Sequence, residues 1–468
     1  LLSTAAWAAT PPASAFRAGA ATSNITPPVG SPVVGGFLAF PSTNIHDELH
    51  ARCLVLDDGH TKLALVVLDL LLLDRDLCTK ARKLVEEETG IPAGNVLISA
   101  VHTHSATLAG NGPFPFTPQI NNYPGFFVRR IVDGVKCAIN RLRPAQLAYV
   151  TAQAPEHVFN RRWFLKPGTM PPNPFGGIDQ VKMNPKSGSP DLVKPAGLTD
   201  PTVSILALRE PNGRPIAVYS AYSLHYVGQV AKGDISADYY GVYCDRLERL
   251  LQGKELDPPM VALMANGTSG DVNNINFAHP RPKKEPYEQI RFVAYDLAAK
   301  VQAALAGAKY QDQVTLAARW REPTIERRMP TAQELAWAKQ RMTQPAPKPG
   351  ELDLPYLYAR RTVRLAGTDA RVAVPVQVLR IGPVCIGTLP GEPFAEIGLE
   401  FRRRSPVQPA FLVELAHGSF GYIPTARHFA WGGYETWLGS CAFEPHASEK
   451  LMDTLLEMAA EVRPAAAK

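Results

Sequence analysis

Several features that would narrow the role of this chain at once are missing. Its six cysteines, Cys53, Cys78, Cys137, Cys244, Cys385 and Cys441, include no Cys-x-x-Cys pair. That excludes a cysteine-ligated zinc of the usual spacing and a dense disulfide framework. One or two disulfides stay open for an exported chain, and the spacings do not pair them. No long block of basic residues occurs. The run Arg281-Pro-Lys-Lys284 reads as a solvated loop, and a net charge of +6 is modest for 468 residues. No nucleic-acid partner is expected. No stretch has the length and uniform apolarity of a membrane span: 63–73 is too short and is broken by Asp69. No internal repeat is present.

What is there is the composition of a folded protein, 46% hydrophobic and 20% charged. Its 43 prolines, set in normal apolar content, favour long ordered loops over disorder. The length allows one large core or two ordinary ones. Residues 1–15 are apolar and small, and Ala13-Ser-Ala15 fits a small-x-small cleavage pattern. The expectation is the remnant of a secretion signal on a secreted or periplasmic protein, with a flexible apolar terminus as the alternative.

Periodicity predicts a layered α/β core. Strands are expected at 50–56 and 63–69, joined by a hairpin turn at Asp57-Asp-Gly59. A helix follows over 76–89, stopped by Gly90. The apolar, β-branched run 96–101 reads as a buried strand, and 126–140 as an amphipathic helix. Residues 162–201, dense in Pro, Gly and Asn, read as a long loop of the lid or binding kind. Strands at 203–208, 216–222, 260–264, 314–321, 372–379, 384–387 and 411–415 alternate with helices at 237–251, 288–305, 331–342 and 448–462. Residues 344–350 form a Pro-rich surface connector, and 421–433 a loop. The fold class is a mixed β-sheet core with flanking helices and a site at the strand ends.

Polar residues concentrate at those strand ends. His102 and His104 follow the run 96–101; two apart on extended backbone, their rings would project from the same side. A metal or acid–base site needs such a pair, and a strand end whose rings hydrogen-bond to backbone explains it equally. His225 follows 216–222 and taken alone is a core histidine. Glu392 lies in Leu389-Pro-Gly-Glu-Pro393 and taken alone is a helix-start acid. The Gly-rich turn after 260–264 supplies Asn266, Ser269 and Asp271 as candidate substrate-binding residues. Together these signals make a His/His/Glu metal site, a donor set that suits Zn²⁺ and leaves a position for water.

Several motifs, in order, carry a family resemblance. They are Asn24-Ile-Thr-Pro-Pro28, His46-Asp47 before Ala51-Arg52, His102-Thr-His-Ser105, Asn160-Arg161, and His225 before Ile235-Ser-Ala-Asp238. Gly270-Asp271, Leu389-Pro-Gly-Glu392, Gly421-Tyr-Ile-Pro-Thr-Ala-Arg427 and Gly433-Tyr434-Glu435 complete the set. From about residue 16 onward the chain resembles the catalytic domain of the neutral ceramidases, zinc-dependent hydrolases that split the N-acyl amide of ceramide. The resemblance implies one catalytic domain over 16–468, here without the family's C-terminal β-sandwich domain. It implies zinc ligands at His102, His225, Glu392 and Tyr422, with His104, Arg161 and Tyr434 assisting catalysis. Composition alone would make Tyr422 a core or rim aromatic; its spacing to Tyr434 matches the family's. Zinc-activated water would attack the acyl carbonyl, Arg161 and Tyr434 would stabilise the oxyanion, and His104 would move the proton.

The sequence departs from the family where His-Ser is followed by Ala106-Thr-Leu-Ala-Gly110 in place of Gly-Pro-Gly-Gly. It departs again where Asn273 or Asn274 stands for a serine. Both changes fall on pocket walls. The expected substrate is therefore ceramide or a smaller N-acyl compound, a lipid or small molecule met in solution or at the periphery of a membrane. An ester or acylated sugar, or ligand binding without catalysis, are the alternatives.

Overall fold

In the computed structural model, residues 16–109, 122–348 and 350–464 are described. The expected secretion signal at 1–15 lies outside them, as does Gly110.

Lys62–Leu68 is buried along nearly its whole length, which is why its sequence shows an apolar run without alternation. It runs between Val96–Ala100, parallel to it, and His50–Asp57, antiparallel. Arg17–Asn24 and Arg143–Pro144 complete this five-stranded sheet. One face, with Cys53, Val55, Val66 and Ile98, packs on helices Arg75–Thr89 and Tyr123–Asn140 through Ala81, Val85, Ile131 and Val135. The first helix is bounded as the sequence predicts. Asp74 accepts a hydrogen bond from the Leu77 amide, and Gly90 ends it at φ 73°, a left-handed conformation that glycine adopts without strain.

The opposite face, with Leu54, Leu65, Val67 and Leu97, meets a second sheet. Its strands lie in the order Val261–Asn266, Pro215–Tyr222, Thr202–Arg209 and Gln146–Gln153. Helices Asp238–Leu250 and Glu288–Ala306 cover its far side. A third sheet, Leu316–Arg321, Val376–Ile381, Val384–Thr388 and Ala410–Val413, closes the end of this stack. Leu379, Ile386 and Val413 enter the central core, while Ala395–Arg404 and Ala447–Glu461 cover the other face. In each sheet one pair of strands is parallel: 62–68 with 96–100, 215–222 with 261–266, and 384–388 with 410–413. Segments leaving these strands carry the polar residues singled out above.

Several expectations are corrected. Residues 162–201 are not a structureless loop; Val181–Met183, Arg162–Leu165 and Leu192–Pro195 form a small antiparallel sheet. These strands are too short to show a period among the surrounding prolines and glycines. Residues 421–433 contain a strand, Tyr422–Ile423, and a helical turn, Ala426–Trp431. The single strand read over 372–379 is two, Arg371–Ala373 and Val376–Ile381. Helices Leu354–Ala366 and Ala395–Arg404 were not anticipated. All six cysteines are free thiols, five of them buried. No helix of the described residues is long and apolar enough to cross a membrane.

Candidate active site

Beyond Ala100 the chain does not continue as a strand. His102 adopts φ 74°, a left-handed conformation unusual for a residue with a side chain, and the backbone turns there. The two imidazoles therefore meet through this turn, not through strand alternation, with Nε2 of His104 at 3.2 Å from Nε2 of His102. The hydroxyls of Thr103 and Ser105 tie the turn to the Ser236 carbonyl at 2.9 and 3.1 Å. His104 stacks on Tyr226, with ring centroids 3.5 Å apart. Its other side is closed by Gly35, where a Cβ would stand 2.5 Å from the Cβ of His104.

His225 leaves the second sheet just beyond Tyr222. Asp238 fixes the segment that follows, accepting hydrogen bonds from the amides of Val227 and Gly228 at 3.1 and 2.8 Å. Glu392 and Tyr422 are direct partners across a short parallel ladder, Glu392–Pro393 against Tyr422–Ile423. Close backbone approach around it needs glycine: a Cβ on Gly270 would come within 2.3 Å of the Glu392 carbonyl oxygen.

All seven residues expected to bind metal or assist catalysis line one cavity of about 680 Å³. His102 and His225 stand edge to face with ring centroids 4.4 Å apart. The Oε2 of Glu392 lies 3.4 Å from Nε2 of His102 and 3.8 Å from Nε2 of His225. Arg161 donates from Nη2 to the Tyr422 phenol at 3.0 Å and from Nη1 to His225 Nε2 at 3.3 Å. Tyr434 packs edge-on against Tyr422, at 5.4 Å between centroids.

Protons on the rings are assigned by their outer partners. His102 Nδ1 faces the Leu71 carbonyl at 2.9 Å, and His225 Nδ1 faces the carbonyl and hydroxyl of Ser269 at 3.2 and 3.3 Å. Each Nδ1 is thus the donor, and each Nε2 presents a lone pair to the cavity. Burial first, then Arg161 and the neighbouring imidazoles, hold His225 well below the ordinary histidine range. Burial followed by His102 and Arg161 does the same for His104. Burial opposes ionisation of Glu392, but His102, Arg161 and the Tyr422 phenol outweigh it and hold the carboxyl below its usual range. Its Oε2 is nonetheless buried with no hydrogen-bond partner among the described residues.

A carboxylate oxygen and two imidazole lone pairs facing one another repel unless a cation lies between them. Two ligand atoms about 2.0–2.1 Å from a tetrahedral ion are roughly 3.4 Å apart. The separations of 3.4 and 3.8 Å fit such edges, so the donor set fits a divalent cation. His104 is equally near, and the ligand atoms of His102, His104 and His225 all lie within 4.8 Å of one another.

Asn266, Ser269 and Asp271, expected at the substrate, do not line the cavity and are fully buried. Each braces the site from behind through hydrogen bonds to protein, although among the described residues the Asn266 Oδ1 has no partner. Asn266 donates to the Val101 carbonyl at 3.2 Å. The Asp271 carboxylate accepts from Asn160 at 2.7 Å and from the Ala395 amide at 2.8 Å, while its carbonyl receives the Arg161 amide at 2.8 Å. Ser269 donates its hydroxyl to Glu414 at 2.7 Å, completing a relay from His225.

Two acids that sequence reading left without a role complete the arrangement. Glu414 is fully buried, and burial pushes its carboxyl well above the usual range although the Ser269 amide and hydroxyl favour the ionised form. Glu435 is also fully buried, bridging Arg161 Nε at 3.0 Å and Arg162 Nη1 at 2.5 Å. It stood in the Gly433-Tyr434-Glu435 motif of the sequence, without an assigned role.

No family model matches the sequence. Among solved structures, neutral ceramidase from Pseudomonas aeruginosa has the same fold. It matches with a TM-score of 0.70 and 19% identity over 96% of this chain and 74% of that one. A ceramidase complexed with C2 matches at a TM-score of 0.69 and 18% identity, covering 96% of this chain and 75% of that one. The mixed α/β architecture expected from the motifs is the architecture of these ceramidase structures.

Proposed function

We propose that this chain is a zinc-dependent amidohydrolase of the neutral ceramidase family, cleaving ceramide or a smaller N-acyl amide. The observation that carries the reading is the unpartnered Glu392 Oε2 facing two imidazole lone pairs in a cavity of about 680 Å³. Ceramidase structures of the same fold support the reaction class. His102, His225, Glu392 and Tyr422 would hold the zinc. Bound there, the ion would supply Lewis acidity and a water whose pKa falls to roughly 7.

The remaining steps belong to the chain's own groups. Arg161 and Tyr434 face the cavity as donors for the oxygen of an acyl carbonyl as it gains charge; one such donor contributes about 3–4 kcal/mol. Arg161 spends Nη1 on the His225 lone pair and frees it for substrate when that lone pair is taken. His104, neutral and clamped between Gly35 and Tyr226, accepts a proton at Nε2 and delivers it to the leaving nitrogen. Leu71, Leu72 and Leu108 offer an apolar wall to the acyl chain.

His104 carries a second reading, as a ligand, because its Nε2 is 3.2 Å from that of His102. In the first reading His104→Ala lowers kcat by about 10²–10⁴-fold and leaves one zinc per chain. Metal analysis that finds the zinc gone would make His104 a ligand. Glu414→Gln tests the relay behind His225: zinc affinity should fall about 10–100-fold in a chelator competition, with the fold intact by circular dichroism. Unchanged affinity would show that the relay does not orient the ring. The decisive assay for the function is release of fatty acid from N-acyl sphingosine and short-chain N-acyl amides; no release from any of them would overturn it.

A further inference from the structure

The cavity extends past the proposed zinc ligands to a wall that the hydrolytic machinery does not use. Helix Leu354–Ala366 turns Arg361, Arg364 and Leu365 toward it, at the spacing that places side chains on one helical face. Arg327 joins them from beyond strand Thr324–Glu326. Among the described residues, none of these three arginines has a carboxylate oxygen within ion-pair distance, while many surface arginines here do. The Nε atoms of Arg327 and Arg361 are buried without an acceptor. Arg361 makes a single long hydrogen bond, from Nη1 to the Tyr358 hydroxyl at 3.4 Å.

Other charges on this wall are already spent. Arg75 is paired with Glu322 at 2.7 Å and with the Ala373 carbonyl at 2.6 Å. Asp74 commits its carboxylate to capping a helix, and Asp369, an acid whose charge acts on Arg327, is exposed. Burial holds Arg364 below the ordinary arginine range, and the like charges of Arg361 and Arg360 add to it. Arg361 and Arg364 repel one another and Arg327 lines the same cavity, a setting that favours entry of an anion. Their planar donors match carboxylate, sulfonate and phosphate oxygens. Arg361 is close enough to Tyr434 for its charge to act on that phenol, so the cationic wall begins beside the reacting end of the cavity.

We propose that the natural substrate is an anionic N-acyl amphiphile, whose acyl chain lies on the leucine wall and whose amine-derived part carries an acidic group bound by Arg327, Arg361 and Arg364. This rests on the N-acyl hydrolase reading above and excludes uncharged ceramide as the best substrate.

The test compares three dodecanoyl amides, of taurine, glycine and ethanolamine, the first two anionic and the third neutral. Hydrolysis is followed with zinc-loaded wild type, the double variant Arg361→Gln/Arg364→Gln, and the milder Arg364→Gln at an exposed position. Wild type should show kcat/KM at least roughly tenfold higher for the anionic amides. In the double variant KM for these should rise about tenfold, with the ethanolamine amide changed less than about threefold. Calorimetry on chelator-treated protein should show salt-sensitive binding of the taurine amide that both variants weaken.

Equal use of the neutral amide, or variants that impair all three alike, would overturn the inference and leave the hydrolase reading standing. Selective binding lost in the variants, with no amide hydrolysed, would leave the anion site standing and remove the hydrolase reading.

Discussion

Glu435→Gln is expected to destabilise the protein by about 3–5 kcal/mol and to abolish measurable turnover. The carboxylate is fully buried between two guanidinium groups, with Arg162 0% exposed and Arg161 3%. Removing its charge takes from both cations their hydrogen-bonded anion in a medium that solvates them poorly. Arg161 keeps only the longer-range charge of Glu392, and Arg162 that of Asp271 with the Gly432 carbonyl at 2.6 Å and the face of Phe394 at 5.1 Å. Arg161 loses the contact that orients its Nε, and with it the aim of Nη1 and Nη2 toward the cavity. Chemical denaturation measures the stability change. Tyr434→Phe is the control, since it removes a donor at the same corner while keeping the buried triad. A Glu435→Gln protein as stable as wild type would show that the triad is not a structural keystone.

The second large effect concerns Glu392. Glu392→Gln removes the one ionised ligand of the proposed set, and zinc affinity should drop by more than the 10–100-fold that outer-shell partners account for. Turnover should fall with it. Stability has two parts. Without metal, His102, Arg161 and the Tyr422 phenol favour the ionised carboxyl, so the neutral amide should leave the metal-free fold somewhat less stable at neutral pH. With zinc, wild type should melt higher by the free energy of the bound ion, a gain the variant lacks. Melting curves with and without chelator, alongside metal analysis, read both effects. Stoichiometric zinc in Glu392→Gln would remove the carboxylate from the ligand set.

Much of the fold was legible because its core strands are continuous apolar runs and its helices begin and end on recognisable caps. The 50–56 and 63–69 hairpin and the 76–89 helix appear within a residue or so of their expected bounds. Elements that escaped are those whose sequence signal is weak or misleading. Leu354–Ala366 points Arg361 and Arg364 at the cavity beside Leu365, so its face toward the site reads as solvent-exposed. The sheet within 162–201 has strands held by pairing with one another rather than by a buried period.

At the site, local pattern located the histidines and motif order brought Glu392 and Tyr422 to them. The same pattern misjudged geometry: the two imidazoles converge through a left-handed turn at His102, which no alternation rule describes. It also misjudged Asn266, Ser269 and Asp271. Polar residues beside a glycine-rich turn look available to a ligand, whereas here their partners arrive from Val101, Glu414 and Ala395, far away in sequence. Glu414 was silent for the same reason, and the role of Glu435 was hidden by it: an acid becomes interior only when distant donors surround it.

The short parallel ladder between Glu392–Pro393 and Tyr422–Ile423 would set a gauge for any ion held there. A carboxylate and a phenol seated on hydrogen-bonded neighbours stay one strand spacing apart, about 4.8 Å at the backbone, whichever rotamers they choose. Calcium, which gathers six to eight oxygens, would have to pry open backbone that glycines have packed shut, whereas small four-coordinate ions can exchange without disturbing it.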